Sequence, residues 1–418
     1  MKKKCIFLTL LFLIVFILFS KFKYKNEKEP DTGKQTETSN YEESTQPVAE
    51  IKSTIKLAKR IDAKETIPDS YNTGTNGELS DFLTLYPDAY INNNLVYITK
   101  KFVEEYGNEI SNFVLKDYGI YFKEPIGDFK ISNAKFIGNQ NLSYAVQLTN
   151  DYVKAGNTVT VENCEGSYYN AAFNTGMNFK FVNCYIHDMY QDAFKADTNV
   201  SIQNCYVRGC GLSKDSHADG VQVASNTKEE INIEIRNTRF EQPFIAKKYY
   251  ENSCVFIKLE EEGYGKISLS DLYLNGGNYS FYILQNQDKE YTNMQYEINN
   301  VKIGDSARYG KSEIKVDIPE QSGIQNVNQL YVTSVFEQDG KVYVSVTNDS
   351  MESRTLKIVT EKEEKEFEVD RCWDGTSTEA SDNEVQSFDQ LFEIDPSEVI
   401  RCYEGDTLIG QFQFGEEN

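Results

Sequence analysis

The sequence predicts an all-β protein, a parallel β-helix of three-strand coils followed by a small C-terminal β-sandwich. Three observations carry that prediction. A short pattern of alternating apolar residues, then Asn or Asp, two residues and another apolar residue recurs at Asn112, Asn133, Asn163, Asn183, Asn204, Asn237, Asp271 and Asn300. Successive gaps are 21, 30, 20, 21, 33, 34 and 29 residues, and the shortest leave room for three short strands and three turns, one coil stacked ~4.8 Å on the next. The chain carries 28 Tyr and 25 Phe against 8 Pro, a balance that favours strands.

Taken in order, residues 1–25 open with Lys2, Lys3 and Lys4. They continue in an apolar run from Ile6 to Phe19 and close on Lys21, Lys23 and Lys25. That is an export segment, a signal peptide or an uncleaved membrane anchor, with no small-residue cleavage pattern and a run short for a span. The rest of the chain is therefore expected outside the cell, touching membrane only through this segment. Residues 26–65 are rich in Thr, Ser and Glu without apolar periodicity, the composition of a disordered stalk. Residues 66–310 hold the recurring turns and are assigned to the helix. Within them 99–114 also fits a helical period, which suits a first coil capped by a short α-helix.

Asn suits each recurring turn because it tolerates left-handed backbone and can bond the neighbouring coil. Cys164, Cys184 and Cys205 each follow such an Asn and should stack as small buried side chains. After residue 311 the pattern stops. Asp339-Gly340 marks one hairpin and Arg354 to Asp370 another alternating pair, so 311–418 is assigned to the sandwich. Cys372 and Cys402 are candidates for a bridge within it. Of 8 cysteines, setting Cys5 aside leaves an odd number, so at least one thiol has no partner in the chain. No spacing matches a zinc site.

A net charge of −22 without a basic patch beyond the N-terminus excludes nucleic acid as a partner. It also repels anionic polymers unless a local basic strip or a cation receives them. Such a strip emerges when the strand before each turn is aligned by eye. Phe122, Val146, Phe173, Phe194, Val221 and Ile257 fall at one offset and should face inward. Their successors Lys123, Gln147, Asn174, Lys195, Gln222 and Lys258 should then form one outward column able to bond sugar hydroxyls and attract carboxylates. Asp192 and Asp219 share an offset three residues before Lys195 and Gln222. Close carboxyls of this kind share a proton, bind a cation such as Ca²⁺ or lean on the lysine; they are equally the residues that open a turn. His217 lies beside Asp219 in a lengthened loop, as surface decoration or as a site acid. His187, with Arg208 as its column neighbour, fits a structural or peripheral role.

The "N-C-Y-[IV]" turns, the coil "D-A-F-K…N-V-x-I-x-N-C-Y" and "H-A-D-G-V-Q" resemble the right-handed parallel β-helix, or pectate-lyase-like, superfamily. "IPDSYNTG" ahead of such coils resembles a group of secreted bacterial β-helix proteins within it. The resemblance covers residues 66–310 and is specific for fold rather than reaction. It implies a right-handed coil and a polysaccharide, typically acidic, acted on along one parallel sheet by elimination, hydrolysis or epimerisation. By position it implies Lys195 as base and Asp192 and Asp219 as Ca²⁺ ligands. The N-T-D, D-D, G-H-G and R-I-K pattern of its hydrolases is missing. The expected protein is then a monomeric, extracellular polysaccharide lyase or epimerase acting on uronate-containing glycan. Lys195, His217 and Asp219 would be catalytic, and Lys123, Gln147, Asn174, Gln222, Lys258 and Arg208 would bind substrate. The alternative is a glycan-binding or adhesive surface protein without chemistry.

Overall fold

A computed structural model of the chain describes residues 55–415 apart from 64, 215, 226–229, 244–248, 262, 286–292, 317–322 and 373–388. The expected export segment and most of the stalk lie outside the described residues. The described chain is mostly strand, with short α-helices at Phe82–Leu85, Lys100–Tyr106 and Asn150–Lys154. The second falls within the stretch 99–114 that fits a helical period. It follows Ser80–Asp81 and Leu95–Ile98, which already pair in parallel with later coils, rather than preceding the first coil. The Thr99 side chain accepts a hydrogen bond from the Phe102 amide, satisfying one free helix-start donor.

One coil shows how the rest are made. Met177–Val182 turns at Asn183 into Tyr185–His187, a second turn leads to Phe194–Lys195, and Thr198–Gln203 then lies parallel beside Met177–Val182, with Phe179 opposite Val200. Repetition of this path builds one parallel-dominated sheet of 14 strands and two sheets of 5 strands. The two smaller sheets join end to end, because the Phe173 amide donates to the Ala193 carbonyl at 2.8 Å and the Asn174 side chain donates to the Lys195 carbonyl at 2.8 Å. Ten strands thus form one continuous face.

All eight recurring turn residues, Asn112, Asn133, Asn163, Asn183, Asn204, Asn237, Asp271 and Asn300, take left-handed backbone with φ between 42° and 60°. Their side chains bond along the stack, Asn133 to Asn112 at 2.8 Å, Asn183 to Asn163 at 2.6 Å, Asn237 to Asn204 at 3.0 Å and Asn300 to Asp271 at 2.7 Å. A polar turn is thereby satisfied without water. The gap of 30 residues before Asn163 is explained by helix Asn150–Lys154, inserted at the turn after Tyr144–Leu148.

Alternation drives Phe113, Phe136, Phe173, Phe181 and Phe194 fully inside. Their rings meet in sequence at 4.7–6.0 Å, mostly edge-on, the packing that aromatic quadrupoles prefer. Cys164, Cys184 and Cys205 are buried and free, as the stacking expectation requires.

A second apolar cluster, including Val332, Val344, Leu356, Ile358, Ile400 and Phe412, lies in two antiparallel sheets of 4 and 5 strands. Asp339 and Gly340 turn the first hairpin with φ of 52° and 76°, which only such residues adopt readily. Three expectations change here. Lys56–Leu57 and Lys59–Arg60, placed in the stalk, are edge strands paired with Leu330–Gln338 and Thr407–Gln413; two-residue strands are too short to show periodicity. Parallel pairing continues past residue 310, since Gly310–Ile314 lies beside Tyr279–Gln285 and Ile324–Asn326 beside Val301–Ile303. The last coil has no Asn turn to announce it. Cys372 and Cys402 are free: the Cys372 sulfur meets the Ser306 hydroxyl at 3.3 Å, while Cys402 lies in the apolar cluster.

Residues 65–76 run along the turn ladder. The Asn237 side chain donates to the Thr66 carbonyl at 3.0 Å, the Gly74 amide to the Asn183 carbonyl at 2.9 Å and the Asn76 amide to Asn133 Oδ1 at 2.8 Å. This strap and the C-terminal sheets cover Arg239, which is 1% exposed and pairs with Glu241 and Asp389.

Candidate functional site

The six residues expected inside, Phe122, Val146, Phe173, Phe194, Val221 and Ile257, are all fully buried. The outward column is assembled only in part. Lys195 stands beside Gln222, but Gln147 stands beside Tyr121, Asn174 opposite buried Val146, and Lys258 beside Ala224, so that Phe256 occupies the place next to Gln222. Lys123, exposed, lies past the end of Gly119–Phe122. Alignment by composition cannot see these slips. A slip of two keeps the inward–outward phase, as for Lys258; the slip of one at Asn174 is local, since its neighbour Phe173 stays in the core. Asn174 is nevertheless 0% exposed and bonds the Lys195 carbonyl and amide, a backbone clamp rather than a ligand-binding residue.

Nor is the column a free basic strip. Lys195 pairs with Asp192 and donates to Gln222, and Lys258 pairs with Glu260. These two lysines each meet a carboxylate on or beside their own strand.

Asp192 and Asp219 do come together. Asp192 sits in the turn before Phe194–Lys195, and its Oδ1 accepts the Asp219 amide at 2.8 Å from the next coil. Asp219 Oδ1 accepts Ser253 Oγ at 2.5 Å and Asn252 Nδ2 at 3.0 Å, while Oδ2 accepts Gln222 Nε2 at 3.3 Å. Burial, reinforced by the Asp192 charge, pushes the Asp219 carboxyl well above the usual range. Burial also raises Asp192, against the pull of Lys195. Across the strand, burial lifts Asp197 to about 6, with Lys195 again pulling down. The centre thus holds a lysine whose side chain is 21% exposed over carboxyls that burial shifts toward protonation.

Ca²⁺ does not fit these side chains. It asks for six to eight oxygen ligands, whereas all four oxygens of Asp192 and Asp219 receive hydrogen-bond donors from the protein, and the described residues contain no group of three or more metal-ligating His, Cys, Asp or Glu side chains.

His217 is exposed and makes no hydrogen bond to Lys195 or Asp219. Arg208 is the column neighbour of His187, as expected, but on the large sheet, where its guanidinium lies 5.8 Å from the centre of the Tyr185 ring. It does not join the Lys195 face. His187 sits between Asp188 at 2.6 Å and Glu165 at 3.3 Å; burial opposes its charge, but the two carboxylates prevail and raise its pKa. Asn252, Ser253 and Asp197 escaped the sequence reading. Asn252 and Ser253 would have surfaced by pairing "ENSCV" with "ADGV", since Ala218 faces Glu251 and, after a bulge, Asp219 faces Ser253.

No family model matches the chain, and no curated protein matches it. Among solved structures it is similar to Pantoea stewartii WceF, described as a glycan biofilm modifying enzyme with a bacteriophage tailspike-like parallel β-helix fold. The identity is 11% and the TM-score 0.14, over 74% of this chain and 64% of that one. The chain thus spans less than two thirds of that protein.

Proposed function

We propose that this chain is an extracellular, carbohydrate-active, right-handed β-helix protein with a C-terminal β-sandwich. In this reading it seats a glycan on the outer face of the ten-strand stack and moves a proton at the Lys195 centre. The observation that carries the reading is the juxtaposition, on a solvent-facing sheet, of Lys195 with two carboxyls 1–2% exposed on successive coils. A buried acid pair is costly, and a structural role on this face does not require one.

The chemistry follows from the pair. A glycan over the face excludes water, and a low dielectric favours the neutral acid and amine over the ion pair. Lys195 Nζ then hands a proton to Asp192, which burial already inclines toward protonation, and is free to take the proton beside a uronate carboxylate. In elimination the glycosidic C–O bond breaks as the ring double bond forms, and the proton taken by Lys195 passes to the departing oxygen. In epimerisation a water on the far side of the ring supplies the new proton and Lys195 keeps the one it removed. Asp219, fixed by Asn252, Ser253 and Gln222, positions Gln222 beside the lysine. No step runs through a cation.

A second reading, glycan binding without chemistry, is favoured by the pairing of Lys195 with Asp192 in the free protein, which occupies the lysine with a partner of its own. The test is incubation of the full chain with a panel of uronate-containing polysaccharides, following absorbance of unsaturated ends and, by NMR, exchange at the carbon beside the carboxylate. Lys195→Ala should abolish either signal by at least a hundredfold. Retention of the glycan with neither signal favours the binding reading, and a fully active Lys195→Ala rules out the mechanism.

A further inference from the structure

On either side of the Lys195 centre the outward column is aromatic. Tyr97 stands beside Tyr121, and Tyr121 beside Gln147; on the far side Gln222 stands beside Phe256, and Phe256 beside Tyr282. Ring centres are 5.1 Å apart for Tyr97 and Tyr121 and 5.4 Å for Phe256 and Tyr282, close to one coil rise. Tyr90 extends the first group at 5.1 Å from Tyr97 and is 58% exposed. Alternation has put these rings outside the core, where nothing in the coil architecture needs them. From Tyr121 to Phe256 the column crosses Gln147, the Asn174 strand, Lys195 and Gln222, a span of about 24 Å at the ~4.8 Å strand spacing.

From this arrangement we infer that the two aromatic groups are flanking subsites for uncharged sugar residues, and that the ligand is a heteropolysaccharide whose charges are sparse, running along the stack with one polar or acidic residue at Lys195. This rests on the glycan reading above and narrows its substrate class. Aromatic rings take the apolar C–H face of a pyranose and exclude water, as ligand sites do with a few polar groups for orientation. Electrostatics point the same way. The lysines around the rings carry their own counter-ions, Lys195 with Asp192, Lys258 with Glu260 and Lys315 with Glu313. On a chain of net charge −22, the described residues of this face offer Lys123 alone without a counter-ion, not a row of cations to receive a homopolymer of uronate. Rings without a basic row select spaced charge.

The experiment is affinity electrophoresis and calorimetry of the full chain against three immobilised sets: neutral glucan, mannan and galactan; mixed polymers that alternate neutral and uronate residues; and the homopolymers polygalacturonate and polymannuronate. Tyr121→Leu and Phe256→Leu keep apolar volume but remove the ring, and unchanged melting temperatures verify that both fold. The expected result is retention of a neutral or mixed polymer, with each variant weakening it about tenfold and the pair more. Retention confined to homopolyuronates overturns the inference and leaves the glycan reading standing. A mixed polymer held equally well by both variants overturns it too. Retention of none of the three sets removes both readings together.

Discussion

Arg239→Met should be the most damaging single change outside the apolar core, because it strands buried charge between the coils and the C-terminal sheets. The guanidinium is 1% exposed, donates to Glu241 Oε1 at 2.9 Å and to Asp389 Oδ1 at 2.7 Å, and lies 4.7 Å from the centre of the Tyr206 ring. Removing one partner of a buried ion pair costs about 3–5 kcal/mol, because the carboxyls that remain in the layer keep their desolvation cost without the cation that offset it. The variant should therefore lose about 3–5 kcal/mol at pH 7. Urea unfolding followed by far-ultraviolet circular dichroism measures it. A loss below about 1 kcal/mol refutes the reasoning. Replacing Arg239, Glu241 and Asp389 together by Met and Leu should recover most of the loss, since no charge is then buried.

The same layer makes stability fall as pH rises through neutrality. Burial, working against the attraction of Arg239, holds Asp349 at about 7 and Glu241 at about 8. Both are raised, so their contribution is complete below the unfolded carboxyl range and is lost through pH 7–8. Scanning calorimetry should show the melting temperature dropping from pH 6 to 9, and less steeply in Asp349→Asn; a flat or rising wild-type curve contradicts this. The inward–outward alternation has its own check. Phe194→Ala, at a fully buried ring 4.7 Å from Phe181, should cost about 3–5 kcal/mol, while Lys123→Ala, at an exposed corner, should stay within about 0.5 kcal/mol. Equal effects in urea titrations would mean that the alternation is misassigned.

The parts of the fold legible in the sequence are those set by local backbone chemistry. A left-handed turn demands Asn, Asp or Gly wherever it occurs, so Asn112 to Asn300 announce their coils, and a buried strand face demands an apolar residue, so Phe122 to Ile257 announce theirs. The site was less legible because it depends on register between strands that lie 20 to 34 residues apart in sequence, and a parallel strand carries no mark of which residue its neighbour opposes. Lys195 and Gln222 were paired correctly because their strands follow turns that place Asp192 and Asp219 at one offset; Asn174 and Lys258 were not, because nothing local distinguishes a slip of one or two. The same blindness hid the aromatic groups. Tyr97, Tyr121, Phe256 and Tyr282 read singly as ordinary strand residues, and only pairing puts them in one line with the lysine. Charge composition erred for a related reason. Lys123, Lys195 and Lys258 summed to a basic strip on paper, whereas Lys195 and Lys258 each spend their charge on a carboxylate nearby. Along this face aromatic surface flanks one buried acid pair, and under the proposed glycan reading that combination, rather than the net charge of the column, would decide which glycan can lie there.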